Sequence, residues 1–421
     1  LAPVSLRPRS LREIHAPALM LVRGGEIAAR GAQSMKRHHQ RALWSVVGAA
    51  LIAVGCGADA GGESPAASGM GTAAVSESTV APADGDASPA PADPESDTGS
   101  GPVVQDVGIT VFAASDLDPS VAEAIGATLD VAREAWGLRW ALEYWVFGID
   151  PDAAVTLIEE FCTLRDSYRQ WDMDQCFARE ANDQEPHTLL SYQQLGAEAL
   201  AMGQPMGSAG LNGSPEWTMH RFASSAPWGL MEEFGLPGDE DLKTVFHEYW
   251  HAVQSQHLDA DLPRDTRDER MGPVWFVEGS AEYMGQYQRA RARADGLLPD
   301  VPDGDYPYRF VEQMRWKLDL VDQELAGGCA GRRLMTLERY DDPCSFLGYE
   351  MGAWAIAYLE SIAGQGVLLT EFHPDVQELG WQETFERTAG MTLEEFEDAF
   401  HDFIAGPTDA RMAVLPDVGG A

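Results

Sequence analysis

The sequence predicts an α+β fold, with a small mixed sheet and its helices in the front half and a mainly α-helical half behind it. Three observations carry this. Two short runs rich in β-branched and aromatic residues, 107–113 and 142–149, are each followed by a segment of helical period. From about residue 240 the pattern becomes almost purely helical. The 421-residue chain is 45% hydrophobic and 9% aromatic, enough for a sizeable core, and shows no internal repeat.

The elements follow in order. VGITVFA (107–113) reads as the first strand. DPSVAEAIGATLDVAREA (118–135) is a helix behind an Asp-Pro start. LEYWVFGI (142–149) is the second strand, and PDAAVTLIEEFCTLRDSYRQ (151–170) the second helix. Pro151 stands in its first turn, where a missing N–H leaves no bond unmade. EWTMHRFA (216–223) offers a further strand. Helices are then expected over LKTVFHEYWHAVQSQH (242–257), VWFVEGSAEYMG (274–285), LGYEMGAWAIAYLES (347–361) and GMTLEEFEDAFHDFI (390–404). In the last, Thr392 and Glu395 form a capping box, while Phe396, Phe400 and Phe403 make an apolar stripe for packing. The folded part is taken as 106–421, with an α+β portion over 106–239 and a helical portion over 240–421.

The chain before residue 106 reads differently. Residues 1–34 are Arg-rich without helix or strand period, and are expected to be upstream sequence, translation starting at Met35. Lys36, Arg37 and Arg41 precede the apolar run ALWSVVGAALIAVG (42–55). Fourteen residues are too few for a bilayer, which takes about 20, so 35–56 reads as a signal peptide. Its end, AVGC (53–56), resembles a bacterial lipobox, although Ala53 stands where leucine is usual. That resemblance implies lipidation of Cys56; a plain secretory signal is the other reading. Residues 57–105 are built of Ala, Gly, Ser, Pro and Asp and bury too little to offset chain entropy, so they read as a flexible linker. The expectation is export to a bacterial cell envelope with a lipid anchor, or secretion.

Charge narrows the partners. With 29 Lys and Arg against 67 Asp and Glu, the net charge is -38. The first 56 residues hold 8 of those cations and 2 of the anions, so the remainder is more acidic still. Such a field repels nucleic acid and anionic bilayers. No nucleic-acid partner is expected, and membrane contact only through a lipid. Beyond Cys56, four cysteines form two local pairs. In an oxidising compartment these give Cys162–Cys176 and Cys329–Cys344 disulfides; buried free thiols are the alternative. No CxxC occurs, which disfavours a cysteine zinc or redox site.

HEYWHAVQ (247–254) carries the chemistry. His247 and His251 are four apart and share one helix face. Two such imidazoles can reach one Zn²⁺ at about 2.0–2.1 Å. Glu248 lies beside them, placed to take a proton from water, which is the HExxH logic of metallopeptidases. The alternative is a helix with two satisfied histidines. A catalytic zinc needs a third protein ligand, and two candidates compete. His257 has the spacing of the third histidine in metzincins, but Gln254 stands where their turn glycine would be. Glu278, with Glu282 four residues on, lies in VWFVEGSAEYMG.

The Trp275-x-x-Glu278-Gly279-x-Ala281 form resembles the gluzincins, specifically the aminopeptidase branch and many bacterial peptidase-MA-like proteins. The resemblance covers roughly 240–405 and implies a zincin-like fold. It implies that His247, His251 and Glu278 hold Zn²⁺, with Glu248 as general base. Glu282 would accept a hydrogen bond from a ligand histidine; its alternative is a solvated carboxylate. Tyr349 followed by Gly352 resembles the tyrosine that supports the oxyanion in these enzymes, a core aromatic being the alternative. GLMEE (229–233) faintly resembles an exopeptidase motif but ends in Glu233 rather than Asn, so no aminopeptidase is claimed. The expected function is zinc-dependent hydrolysis of a peptide or protein substrate lying along the edge strand of the front half. The rivals are a non-catalytic, zinc-stabilised surface binding protein on a peptidase scaffold, and a metzincin-like peptidase using His257. An intact Glu248 argues against the binding protein, since a structural site has no use for it.

Overall fold

Ile109–Ala113 (β1) and Ala141–Phe147 (β2) pair in parallel, with Val111 opposite Tyr144. The computed structural model describes residues 108–182, 184, 188–201, 209–211, 218–225, 238–299 and 309–418. The upstream segment, the signal with Cys56, the 57–105 linker and the 229–233 stretch lie outside the described residues. Between β1 and β2 runs Pro119–Trp136 (α1), whose first turn is capped where Ser120 N–H donates to the Asp118 carboxylate at 2.9 Å. Pro151–Ser167 (α2) begins in the same way, with Asp150 accepting from Asp152 and Ala153. It ends three residues before its expected limit of 170.

Met173–Glu180 (α3) follows, tied to α2 by the Cys162–Cys176 disulfide, with an S–S distance of 2.00 Å. Leu189–Ala201 (α4), Ala209–Leu211 (β3) and Met219–Ser225 (β4) complete the front half. The sheet order is β1-β2-β4-β3, with β4 parallel to β2 and β3 antiparallel to β4. It is therefore a mixed sheet, as expected, with a short antiparallel edge. The central strands are buried along almost their whole length, the signature of a sheet covered on both faces. Tyr144 and Phe222 look toward the helical half, while Trp145 and Phe147 pack on α2 and the Cys162 side.

The rest is helical: Gly238–Gln256 (α5), Arg264–Met271 (α6), Val274–Ala294 (α7), Phe310–Leu325 (α8) and Phe346–Ala363 (α9). His373–Leu379 (α10), Trp381–Ala389 (α11), Leu393–Ile404 (α12) and Thr408–Met412 (α13) close the chain. The Cys329–Cys344 disulfide forms in the loop between α8 and α9, at 2.05 Å. The Thr392–Glu395 capping box forms at the start of α12. One apolar core runs from Tyr144 and Phe222 of the sheet through Trp250 and Trp275 to Trp354 and Phe400. Among the described residues, no helix is long and apolar enough to cross a membrane.

The 21-residue α7 is the axis of this half, packed against α5 on one side and α9 on the other. Two glycines set how closely. A Cβ on Gly352 would collide with the Trp275 carbonyl oxygen, and one on Gly279 with the Gly352 backbone. The crossing of α7 and α9 therefore needs hydrogen at both places. It brings Tyr349 and Glu350 of α9 alongside the face of α7 that carries Glu278 and Glu282.

Candidate metal centre

The buried side of α5 is apolar, with Leu242, Val245, Phe246, Tyr249, Trp250 and Val253 all in the core. This burial fixes the rotation of α5 and turns His247 and His251 toward α7. Their ring centroids lie 5.0 Å apart. Across from them, Oε2 of Glu278 lies 3.4 Å from His247 Nε2 and 3.4 Å from His251 Nε2. All three residues are buried, at 2%, 4% and 0% exposure for His247, His251 and Glu278. One ligand atom from each lies within 4.8 Å of the others, and among the described residues no other such group could hold a metal ion.

Four polar atoms at this spot lack hydrogen-bond partners among the described residues: His247 Nε2, Glu278 Oε2 and both carboxylate oxygens of Glu248. A buried polar atom left unpaired destabilises by about 1–3 kcal/mol. Four of them converging mark a place built for a polar guest. Two imidazole nitrogens and one carboxylate oxygen are a donor set suited to a divalent cation. The residues fit a metal.

Their neighbours set the tautomers. His247 Nδ1 lies 3.1 Å from Glu282 Oε2. An ionised carboxylate only accepts, so Nδ1 carries a hydrogen and Nε2 is the ring nitrogen left to face a cation. His251 Nδ1 faces Gln254 Oε1 at 2.8 Å, and the Gln254 amide in turn donates to Val277 O and Ser280 Oγ, both at 2.9 Å. Glu282 is thus no solvated carboxylate. It is buried and clamped by Lys243 of α5 at 3.0 Å and Lys317 of α8 at 2.6 Å. Lys317 continues to Glu350 of α9 at 2.8 Å. Four helices each contribute one charge to this buried chain.

Electrostatics follow from that packing. Burial opposes charge on Glu282, but Lys243 and Lys317 hold its carboxyl well below the usual range. Burial likewise opposes charge on Glu278, and the His251 and His247 imidazoles overcome it. His251 would be lowered by burial, yet the Glu278 carboxylate raises it to about 9. Glu248 is pushed up by burial against the pull of the two histidines.

The structure brings His247, His251 and Glu278 together as a buried group that could hold a metal ion, with Glu248 next to His247 in the chain and Glu282 touching His247. Tyr349 is buried with its ring stacked on His247, centroids 6.3 Å apart and planes at 10°. His257, the alternative third ligand, is not part of the cluster. α5 runs unbroken to Gln256, and the His257 ring stacks on His373 instead, at 5.4 Å. The reading of motifs missed Gln254, Lys243, Lys317, Glu350 and Tyr340, whose hydroxyl donates to Glu278 Oε1 at 2.6 Å. Only Gln254 carried a local signal, standing three residues after His251 on the same helix. No protein-family model, curated protein or solved structure matches the chain.

Proposed function

We propose that this chain is an exported zinc metallopeptidase of gluzincin type on a zincin-like fold. The observation that carries the reading is the buried convergence of His247 Nε2, His251 Nε2 and Glu278 Oε2 beside the unpaired carboxylate of Glu248. The two disulfides support export, and Cys56 would carry the lipid. Zinc, when bound, supplies a Lewis acid and lowers the pKa of water toward about 7. The chain does the rest. Glu282 and Gln254 hold each imidazole with Nδ1 protonated and Nε2 directed at the site. Glu248 takes a proton from the attacking water and returns it to the leaving amine, and burial raises its affinity for that proton. Tyr349, against His247, offers its phenol to the oxyanion. The substrate peptide adds along β3, the edge of the sheet nearest α5 among the described residues.

The test compares wild type with Glu248→Gln, both shown to carry one zinc, on a diverse peptide mixture read by mass spectrometry. Wild type is expected to cleave and the variant to lose at least about 100-fold in rate, the lower range for a general base. Cleavage by neither protein with zinc in place would favour the surface binding protein, and equal cleavage by both would remove the mechanism.

A further inference from the structure

We propose that Tyr340 is the positioning residue of Glu278, holding one carboxylate oxygen so that the other alone faces the two imidazoles. The proposal deepens the metal-site reading above and rests on it. The Tyr340 hydroxyl donates to Glu278 Oε1 at 2.6 Å, while Oε2 stands 3.4 Å from both imidazole Nε2 atoms. A carboxylate held at neither oxygen can rotate and offer one or both to a cation. A charge-assisted hydrogen bond to one oxygen is roughly twice as strong as a neutral one and removes that freedom.

The loop that presents Tyr340 is fastened on three sides. Its ends are joined by Cys329–Cys344, and Arg332 pairs with Asp342 across it at 3.0 Å. On one flank Leu334 N–H donates to His401 Nε2 at 3.1 Å and Met335 N–H to Glu397 at 2.9 Å, both on α12. On the other flank it caps α7. The first N–H groups of that helix need partners, and its N-cap residue, Pro273, gives no side-chain cap. Trp275 N–H donates to Leu337 O at 3.1 Å and Val274 N–H to Glu338 O at 3.4 Å. Tyr340 comes two residues later. The same loop that caps α7 thus carries the hydroxyl that reaches the carboxylate one turn further along it. Closing the loop by a disulfide limits its excursions, so the hydroxyl is held in place before any metal arrives.

The experiment is Tyr340→Phe in the full chain, which deletes one oxygen from a partly exposed ring and leaves its packing. Zinc affinity is measured by competition with a chelator, and the cobalt(II)-loaded protein is read by visible absorption. The expected result is one metal per chain bound 10- to 100-fold more weakly, the range for losing a group that orients a ligand. The cobalt bands should also weaken, because a second Glu278 oxygen that joins the ion raises its coordination number. A purely structural hydroxyl would not move those bands. Affinity within twofold of wild type together with an unchanged cobalt spectrum overturns the proposal. Glu278→Ala separates the two levels. If it loses the metal while Tyr340→Phe is unaffected, only Tyr340 is misassigned; if it keeps the metal, the site beneath is wrong.

Discussion

Glu278 answers to several neighbours at once: Oε2 faces two imidazoles, Oε1 accepts from Tyr340, and the whole side chain is withdrawn from water. Glu278→Ala should therefore abolish stoichiometric zinc binding, measured by elemental analysis of dialysed protein. His257→Ala should keep one equivalent, because that ring lies on His373 and outside the cluster. Zinc retained in the first and lost in the second would restore the metzincin reading. The residues legible from sequence were those with a local spacing. His247, Glu248 and His251 lie within five positions, and Glu278 with Gly279 lies in a short recognisable form. Tyr340 was not legible, since its partner is 62 residues away and no local period connects them.

Among the elements, α7 and α9 cross with a glycine from each at their contact. Replacing glycine with alanine inside a helix normally stabilises by about 0.5–1 kcal/mol. At Gly352 the sign should invert, because the added methyl meets the Trp275 carbonyl. Gly352→Ala is expected to lower stability by roughly 1–3 kcal/mol, the range for overpacking, read as a lower urea midpoint; an unchanged or raised midpoint would show that the helices separate freely. Strands β1 and β2 and helices α1, α2, α5, α7, α9 and α12 were legible because their period or caps are local, as at Asp118, Asp150 and Thr392. The three-residue β3 is too short to show a period, and α3, with eight residues, spans little more than two turns.

For the molecule as a whole, acid bears on two histidines in its interior. His220 and His373 are both buried, and burial pushes each down to about 3 from an ordinary value near 6.5. The unfolded chain then binds protons that the folded chain refuses between pH 6.5 and 3. The contribution of these two histidines is complete above that window and falls as the pH drops through it, by up to ~1.4 kcal/mol per pH unit for each. The urea midpoint should hold near pH 7 and decline toward pH 4, and His373→Phe should flatten the decline. Identical slopes for wild type and variant would show that His373 does not contribute. The α+β class was legible because it follows from the order of strand and helix signals. The common core joining sheet and helices was not, since it depends on which faces meet.

The chain of charges through Lys243, Glu282, Lys317 and Glu350 also constrains descent. Lys317 is costly to lose alone, because Glu350 would lose its cation and Glu282 one of its two, and breaking a buried pair in this way is destabilising by about 3–5 kcal/mol. In any lineage that shares this fold, Lys317 and Glu350 should therefore change together, a covariation that an alignment of relatives would reveal.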